Sequence, residues 1–275
     1  MPELPTIQIR PTKGWAALNL KDLWLYRELV YFLTWRDIKV RYKQAVLGIA
    51  WAILQPLMTM VIFSFIFGNL AKLPSDGIPY PLFSYAAVLP WQLFSSALQR
   101  SSVSLVGNAN LLTKIYFPRL IIPFSAVMAS LVDFGIAFLV MIGLMIYYQV
   151  WPTLMLLWII PLSLLALITA LAVSLWLSAL NVLYRDVQHM VPFLIQFWMY
   201  ASPVAYSANL IPTGIWRIIY GLNPMAGVIQ GFRWALLGAQ SPDSLLVISI
   251  AMVLILLVSG LFYFRRMEKT FADRI

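Results

Sequence analysis

FGIAFLVMIGLMIYYQVWPTLMLLWIIPLSLLALITALAVSLWLSALNVLY, running from Phe134 to Tyr184, contains no Asp, Glu, Lys or Arg. A helix needs about 20 apolar residues to cross about 30 Å of hydrocarbon, so this run is long enough for two crossings. Its break is Gln149-Val150-Trp151-Pro152, a tight aromatic turn of the kind found at a membrane–water interface. Working outward, further charge-free stretches run from Ala45 to Ala71, Gly77 to Gln99, Val187 up to Arg217, and Ser244 to Phe264. The pattern predicts an all-α polytopic membrane protein with six transmembrane helices, near 45–68, 80–104, 120–148, 153–180, 190–207 and 243–264.

The composition agrees. Of the 275 residues, 62% are hydrophobic and 11% charged, against about 45–50% and about 25% in a soluble domain. With no cysteine and the single histidine His189, the chain is expected to hold no disulfide, thiolate metal site or histidine-cluster metal centre. The 1–19 segment carries Pro2, Pro5 and Pro11 and no apolar run of signal-peptide length, and reads as a cytoplasmic extension. One transmembrane domain, 20–275, follows it.

The net charge of +9 is a topological signal. With six spans, both termini share one side. That side receives Arg10, Lys13, Lys21, Arg27, Arg36, Lys39, Arg41, Lys43, Arg100, Lys114, Arg119, Arg185, Arg265, Arg266, Lys269 and Arg274, which is 16 of the 19 basic residues. Only Lys72, Arg217 and Arg233 fall opposite. The positive-inside rule makes the first side cytoplasmic, and no nucleic-acid partner is needed to explain the charge.

Residues 208–241 are apolar but interrupted by Pro212, Gly221-Leu222-Asn223-Pro224, Gly227, Gly231 and Gly238. Each half is too short to span. Two short re-entrant helices between spans five and six keep the C-terminal Arg265-Arg266 inside; non-helical backbone at that depth must be buried in protein or line a wet cavity. An external gate built on Arg217, Asn223, Pro224 and Arg233 is the functional reading, and a hairpin lying on the bilayer is the plain one.

Chemistry-bearing residues are sparse. No glycine precedes a lysine, so the phosphate loop GxxxxGK[ST] is missing and ATP hydrolysis is not expected of this chain. Asp133 is the one carboxylate well inside a predicted span. Burial there costs about 2.5–3.5 kcal/mol on insertion scales, so it needs protein or water around it. An ion or proton site would call for a second such group; a structural pair with a basic or hydroxyl group on another span is the preferred reading. His189 reads as a helix-end histidine.

Residues 20–43 read as an amphipathic interface helix, with Leu20, Trp24, Tyr31, Trp35 and Ile38 on one face and Lys21, Glu28, Arg36, Lys39 and Lys43 on another. It serves either as a lipid anchor or as a docking element. The loops 107–119 and 181–188 mix charge with aromatic groups in an interface-like way.

Several motifs, taken in order, resemble one family. They are Arg36-Asp37-Ile38-Lys39-Val40-Arg41-Tyr42, Leu47-Gly48 with Trp51 and Pro56, and Asn110-Leu111 through Lys114. Phe117-Pro118 with Pro123, Ser202-Pro203-Val204, Leu222-Asn223-Pro224-Met225 and Glu268-Lys269-Thr270-Phe271-Ala272-Asp273 complete the series. The chain is similar, over about 20–275, to the membrane permease of bacterial ABC exporters of lipid-linked polysaccharides. Members export O-antigen, capsule or teichoic acid. The resemblance implies a homodimer in the bacterial inner membrane, with both termini cytoplasmic. Two copies of a separate ATP-binding subunit would drive it, and ATP and Mg would be bound by that subunit, with no cofactor in this chain. The substrate would be a polymer on undecaprenyl diphosphate, O-antigen first. Asp37, Lys114, Arg119, Arg185 and Asp186 become candidates for coupling to the ATPase.

In the family, spans one, two and five line the pore. Here they carry Phe63, Phe67, Tyr85, Trp91, Phe94, Phe193, Phe197, Trp198 and Tyr200. Aromatic rings can hold the C–H faces of sugars, and conduction requires binding weak enough to release. Tyr85, Trp91, Phe193, Phe197 and Tyr200 are the expected lining residues. Two other classes compete. An integral membrane enzyme on polyprenyl-linked sugars would need a carboxylate or histidine cluster. A secondary transporter would favour internal repeats and a midplane ion site. Neither signature is visible.

Overall fold

A computed structural model describes residues 24–43, 46–212, 214–242 and 244–274. The expected extension 1–19, Leu20 and Ala45 lie outside these. Among the described residues the chain is all helix, with no strand.

In chain order the helices are α1 (Arg27–Tyr42), α2 (Val46–Phe63), α3 (Tyr80–Gly107), α4 (Ala109–Lys114), α5 (Ile121–Met128) and α6 (Ser130–Tyr147). Then follow α7 (Ile159–Leu183), α8 (Val187–Tyr200), α9 (Ile215–Gly221), α10 (Pro224–Leu237), α11 (Ser244–Glu268) and α12 (Phe271–Arg274). A π-helical stretch Ser64–Leu70 extends α2, and a 3₁₀ stretch Leu154–Trp158 leads into α7.

Among the described residues, four stretches are long and apolar enough to cross a membrane: Ala50–Leu70, Ile121–Tyr147, Leu154–Leu183 and Ser244–Glu268. The two helices read from the opening run are among them, and the turn between them has Gln149 at φ 56°. α3 has 28 residues but a more polar sequence. It is the central mast. Every residue from Leu82 to Trp91 is buried, and it packs on α2, α5, α6, α7, α8 and α10. α8 covers part of the expected fifth span, 190–207. Its helix ends at Tyr200 after 14 residues, about 21 Å at 1.5 Å per residue, and the non-helical 201–207 segment continues from it. Pro203 has no N–H to continue the ladder, and the Ser202 hydroxyl donates to the Trp198 carbonyl at 2.8 Å, a bond that bends helices.

Two apolar cores result. The larger joins α2, α3, α6, α7 and α10 around Phe94, Met141, Ala166 and Phe232. The smaller gathers Leu33, Leu105, Leu112, Ile121, Ala179, Phe264 and Phe271 at the end where α3, α7 and α11 finish. Helices approach closely where small residues permit it. A Cβ on Gly260 of α11 would stand 2.7 Å from the Ala172 carbonyl oxygen of α7, and one on Gly227 would stand 2.9 Å from the Leu246 Cα. Hydroxyls meet between helices: Ser101 donates to the Pro123 carbonyl at 3.0 Å, and its Oγ lies 2.8 Å from Ser174 Oγ.

Candidate functional site

At the end of the molecule where Asp76 and Gly214 lie, the segment after α8 is tied down by α10. Arg233, 4% exposed, donates from Nη2 to the Val204 carbonyl at 2.9 Å, from Nη1 to Tyr206 at 3.0 Å and from Nε to Phe83 at 3.3 Å. Its guanidinium carbon stands 3.5 Å from the Phe83 ring centroid. The cation thus clamps the Val204 and Tyr206 carbonyls, beyond the end of α8, to the Phe83 carbonyl of α3. Tyr80 donates to the Ala205 carbonyl, and Ser207 donates to Asp76 Oδ2 at 2.8 Å. Asp76 sits at φ 54°, followed by Gly77 at φ 80°.

Asn223 holds the next joint. Its Oδ1 accepts from Met225 N at 3.1 Å, capping α10, and from Trp198 Nε1 at 2.9 Å. Its Nδ2 donates to the Ala201 carbonyl and to Ser202 Oγ. Pro224 takes the first helical position, where its missing N–H costs nothing. Arg217 lies on α9, partly exposed. Of the four expected gate residues, Asn223 and Arg233 therefore converge on the 201–207 segment, Pro224 opens α10 next to Asn223, and Arg217 lies on the short helix α9. A cavity of about 550 Å³ opens here. Tyr206, Trp216 and Tyr220 line it, with Trp198 and Asn223. The first three were missed by sequence reasoning, although aromatic residues flanking Pro212 and Asn223-Pro224 are the available signal.

The aromatic lining requires a correction. Tyr85 is 0% exposed with its hydroxyl bonded to the Ala137 carbonyl at 3.0 Å. Trp91 is buried against Phe94, whose ring meets Trp198 edge-on at 5.0 Å. A ring enclosed by its own subunit presents no face to a conduit in this conformation, so Tyr85 and Trp91 are core residues. Phe193, Phe197 and Tyr200 differ. They recur at i, i+4 and i+7, share one face of α8, and are each more than half exposed.

At the opposite end, Arg185 and Asp186 are exposed in the turn between α7 and α8, and Lys114 is exposed at the close of α4. Arg119 is engaged inward. Its Nη1 donates to the Glu268 carbonyl and its backbone N–H to Glu268 Oε1 at 3.3 Å. Asp37 pairs with the neighbouring Arg36 at 2.8 Å. The aromatic residues of α1 point away from the protein, with Tyr31 and Trp35, and Trp24 just before the helix, each more than half exposed. Leu33 packs inward.

Asp133 lies between these ends, on the fourth residue of α6. The basic partner expected on another span is Arg100 of α3, whose Nη2 meets Asp133 Oδ2 at 2.5 Å. Arg41 of α1 donates to the same oxygen, and Tyr42 donates to Oδ1. Burial, together with the carboxylate beside it, pushes the Tyr42 phenol up to about 12, so it remains a donor at neutral pH. The group faces a cavity of about 730 Å³ bounded by α1, α2, α3 and α6.

The sequence that builds these helices matches a known class. The model of the ABC-2 type transporter membrane family matches residues 28–237, and the chain belongs to that family. Over 261 residues it is 30% identical to the O-antigen export system permease protein RfbA of Myxococcus xanthus, covering 93% of this chain and 98% of the relative. RfbA of Klebsiella pneumoniae is 32% identical over 90% of this chain and 94% of its own length. The polysialic acid transport protein KpsM of Escherichia coli is 24% identical over 85% and 91%.

Proposed function

We propose that the chain is the membrane permease subunit of an ATP-driven exporter of lipid-linked polysaccharide. It would work as a homodimer of six-span subunits with two ATPase subunits, in the bacterial inner membrane with both termini cytoplasmic. The near full-length match to O-antigen permeases carries this reading. O-antigen on undecaprenyl diphosphate is the proposed substrate; capsular polysaccharide, favoured by the polysialic acid relative, and teichoic acid are the alternatives. The exposed Lys114, Arg185 and Asp186, with Asp37 and Arg119 behind them, form the proposed ATPase-facing end. Phe193, Phe197 and Tyr200 form the proposed sugar-facing stripe, and the clamped 201–237 region the external gate.

The test is genetic and chemical together. Deleting the gene should leave lipid-linked glycan inside the cell and remove it from the surface, and the intact chain should restore it. Co-purification with an ATPase and its glycolipid, followed by glycan analysis, names the polymer. Restored surface glycan without any associated ATPase would refute the reading.

A further inference from the structure

The cavity beside Asp133 carries more cation than its own pairing requires. Arg36 and Asp37 satisfy each other at its rim. That leaves Arg41 and Arg100 both directed at one carboxylate, and indeed at one oxygen, Asp133 Oδ2. A guanidinium has five N–H groups in a planar fork, and among the described residues one from each is bonded to Asp133. Both arginine side chains keep about 30% exposure, to the cavity and its mouth. Neutral hydrogen-bonding groups, Gln55, Gln99 and Ser96, share the wall.

Two forked cations converging on a single monoanion form a site for an anion of higher charge. Bidentate arginine–phosphate pairing is the geometry that such forks favour. α1, whose Tyr31 and Trp35 are exposed, forms one wall, and on the export reading that face meets the bilayer interface. A phosphate group could therefore enter with its lipid tail still in the membrane. We infer that Arg41 and Arg100 bind the diphosphate of a lipid carrier, and that Asp133 holds their place in the empty state. This rests on the export reading above and adds the headgroup site to it. Loading displaces Asp133 from Arg41, which frees α1 from α6 at one contact. The polar wall then offers hydrogen bonds to phosphate oxygens and to the first sugar.

The chain has no native cysteine, which permits a direct test on the permease–ATPase complex in phosphatidylcholine nanodiscs. Ser96→Cys places a thiol on the cavity wall. Its modification by a charged methanethiosulfonate should be slowed by farnesyl diphosphate, less by inorganic pyrophosphate, and not by doping the disc with phosphatidylglycerol. Arg100→Gln should raise the half-protecting concentration at least tenfold, with Arg100→Lys between it and the native residue. Asp133→Asn should lower it, because the competing carboxylate is gone. A purely structural clasp predicts the reverse, lost protection together with a lower melting temperature. Protection by phosphatidylglycerol, or stronger protection by pyrophosphate, would assign the site to bulk anionic lipid or free phosphate and overturn the proposal. So would equal protection in Arg100→Gln. Failure of the native chain to restore surface glycan would instead sink the export reading, whatever the labelling shows.

Discussion

Replacing Arg233 should open the 201–207 segment. The side chain makes three hydrogen bonds to carbonyls and a cation–π contact with Phe83. A net bond to a charged group contributes about 1.5–3 kcal/mol, and each buried carbonyl left bare costs about 1–3 kcal/mol. These terms overlap, since the same carbonyls are counted twice, and the vacated space admits water. About 4 kcal/mol is the working value for Arg233→Gln, within the range for breaking a buried charged network. Because 1.4 kcal/mol is tenfold, that is on the order of a thousandfold in the local opening equilibrium. Val204, 1% exposed, is the reporter: Val204→Cys should label slowly in the native background and up to about a thousandfold faster with Arg233→Gln. Arg233→Lys should fall between, since one ammonium cannot span three carbonyls. An unchanged labelling rate in Arg233→Gln at normal protein levels would refute the clamp.

The other expectations follow from single contacts. Gly260→Leu should lower the melting temperature through about 1–3 kcal/mol of overpacking, while Gly143→Ala, with open space around its Cβ position, should not. Lys72→Cys should react with an impermeant thiol reagent in intact spheroplasts and Lys114→Cys should not; the reverse pattern would break the proposed orientation. Ser207→Cys, buried beside Asp76, should stay unlabelled from either side. Arg185→Glu with Asp186→Lys should reduce export at unchanged abundance; unchanged ATPase stimulation would leave that turn without a coupling role. Phe193→Ala with Phe197→Ala should shorten or reduce surface glycan, and normal glycan at normal protein levels would place the stripe against lipid.

What could be read in advance depended on how one-dimensional the signal was. Charge-free length located the helices on both sides of Gln149-Val150-Trp151-Pro152, because crossing hydrocarbon is a property of a run and not of a contact. The need of Asp133 for a partner was also legible, since a lone carboxylate among apolar residues has few solutions. Its choice of Arg41 was not, because α1 and α6 meet only through the fold. Tyr85 and Trp91 were misplaced because α3 is enclosed on all sides over Leu82–Trp91, so no stripe distinguishes one face from another. Arg233 was read as a charge in the external gate region. Its use, holding the Val204 and Tyr206 carbonyls, is set by residues about 30 positions away in sequence and left no local mark.

The smaller core has a temporal consequence. Leu33 of α1 and Phe271 of α12 are both buried in it, so its first and last contributors are separated by nearly the whole described chain. At about 5–20 residues per second, synthesis needs roughly 10–50 s to pass from one to the other. The inner face of α1 can pack on α5 early in that interval, but the cluster around Leu33 stays open until Phe271 is made. The subunit's basic end is thus completed late in biogenesis, and a chain stalled before Phe271 would expose the unfinished seat to quality-control proteases in the same place that, by our reading, an ATPase would later dock.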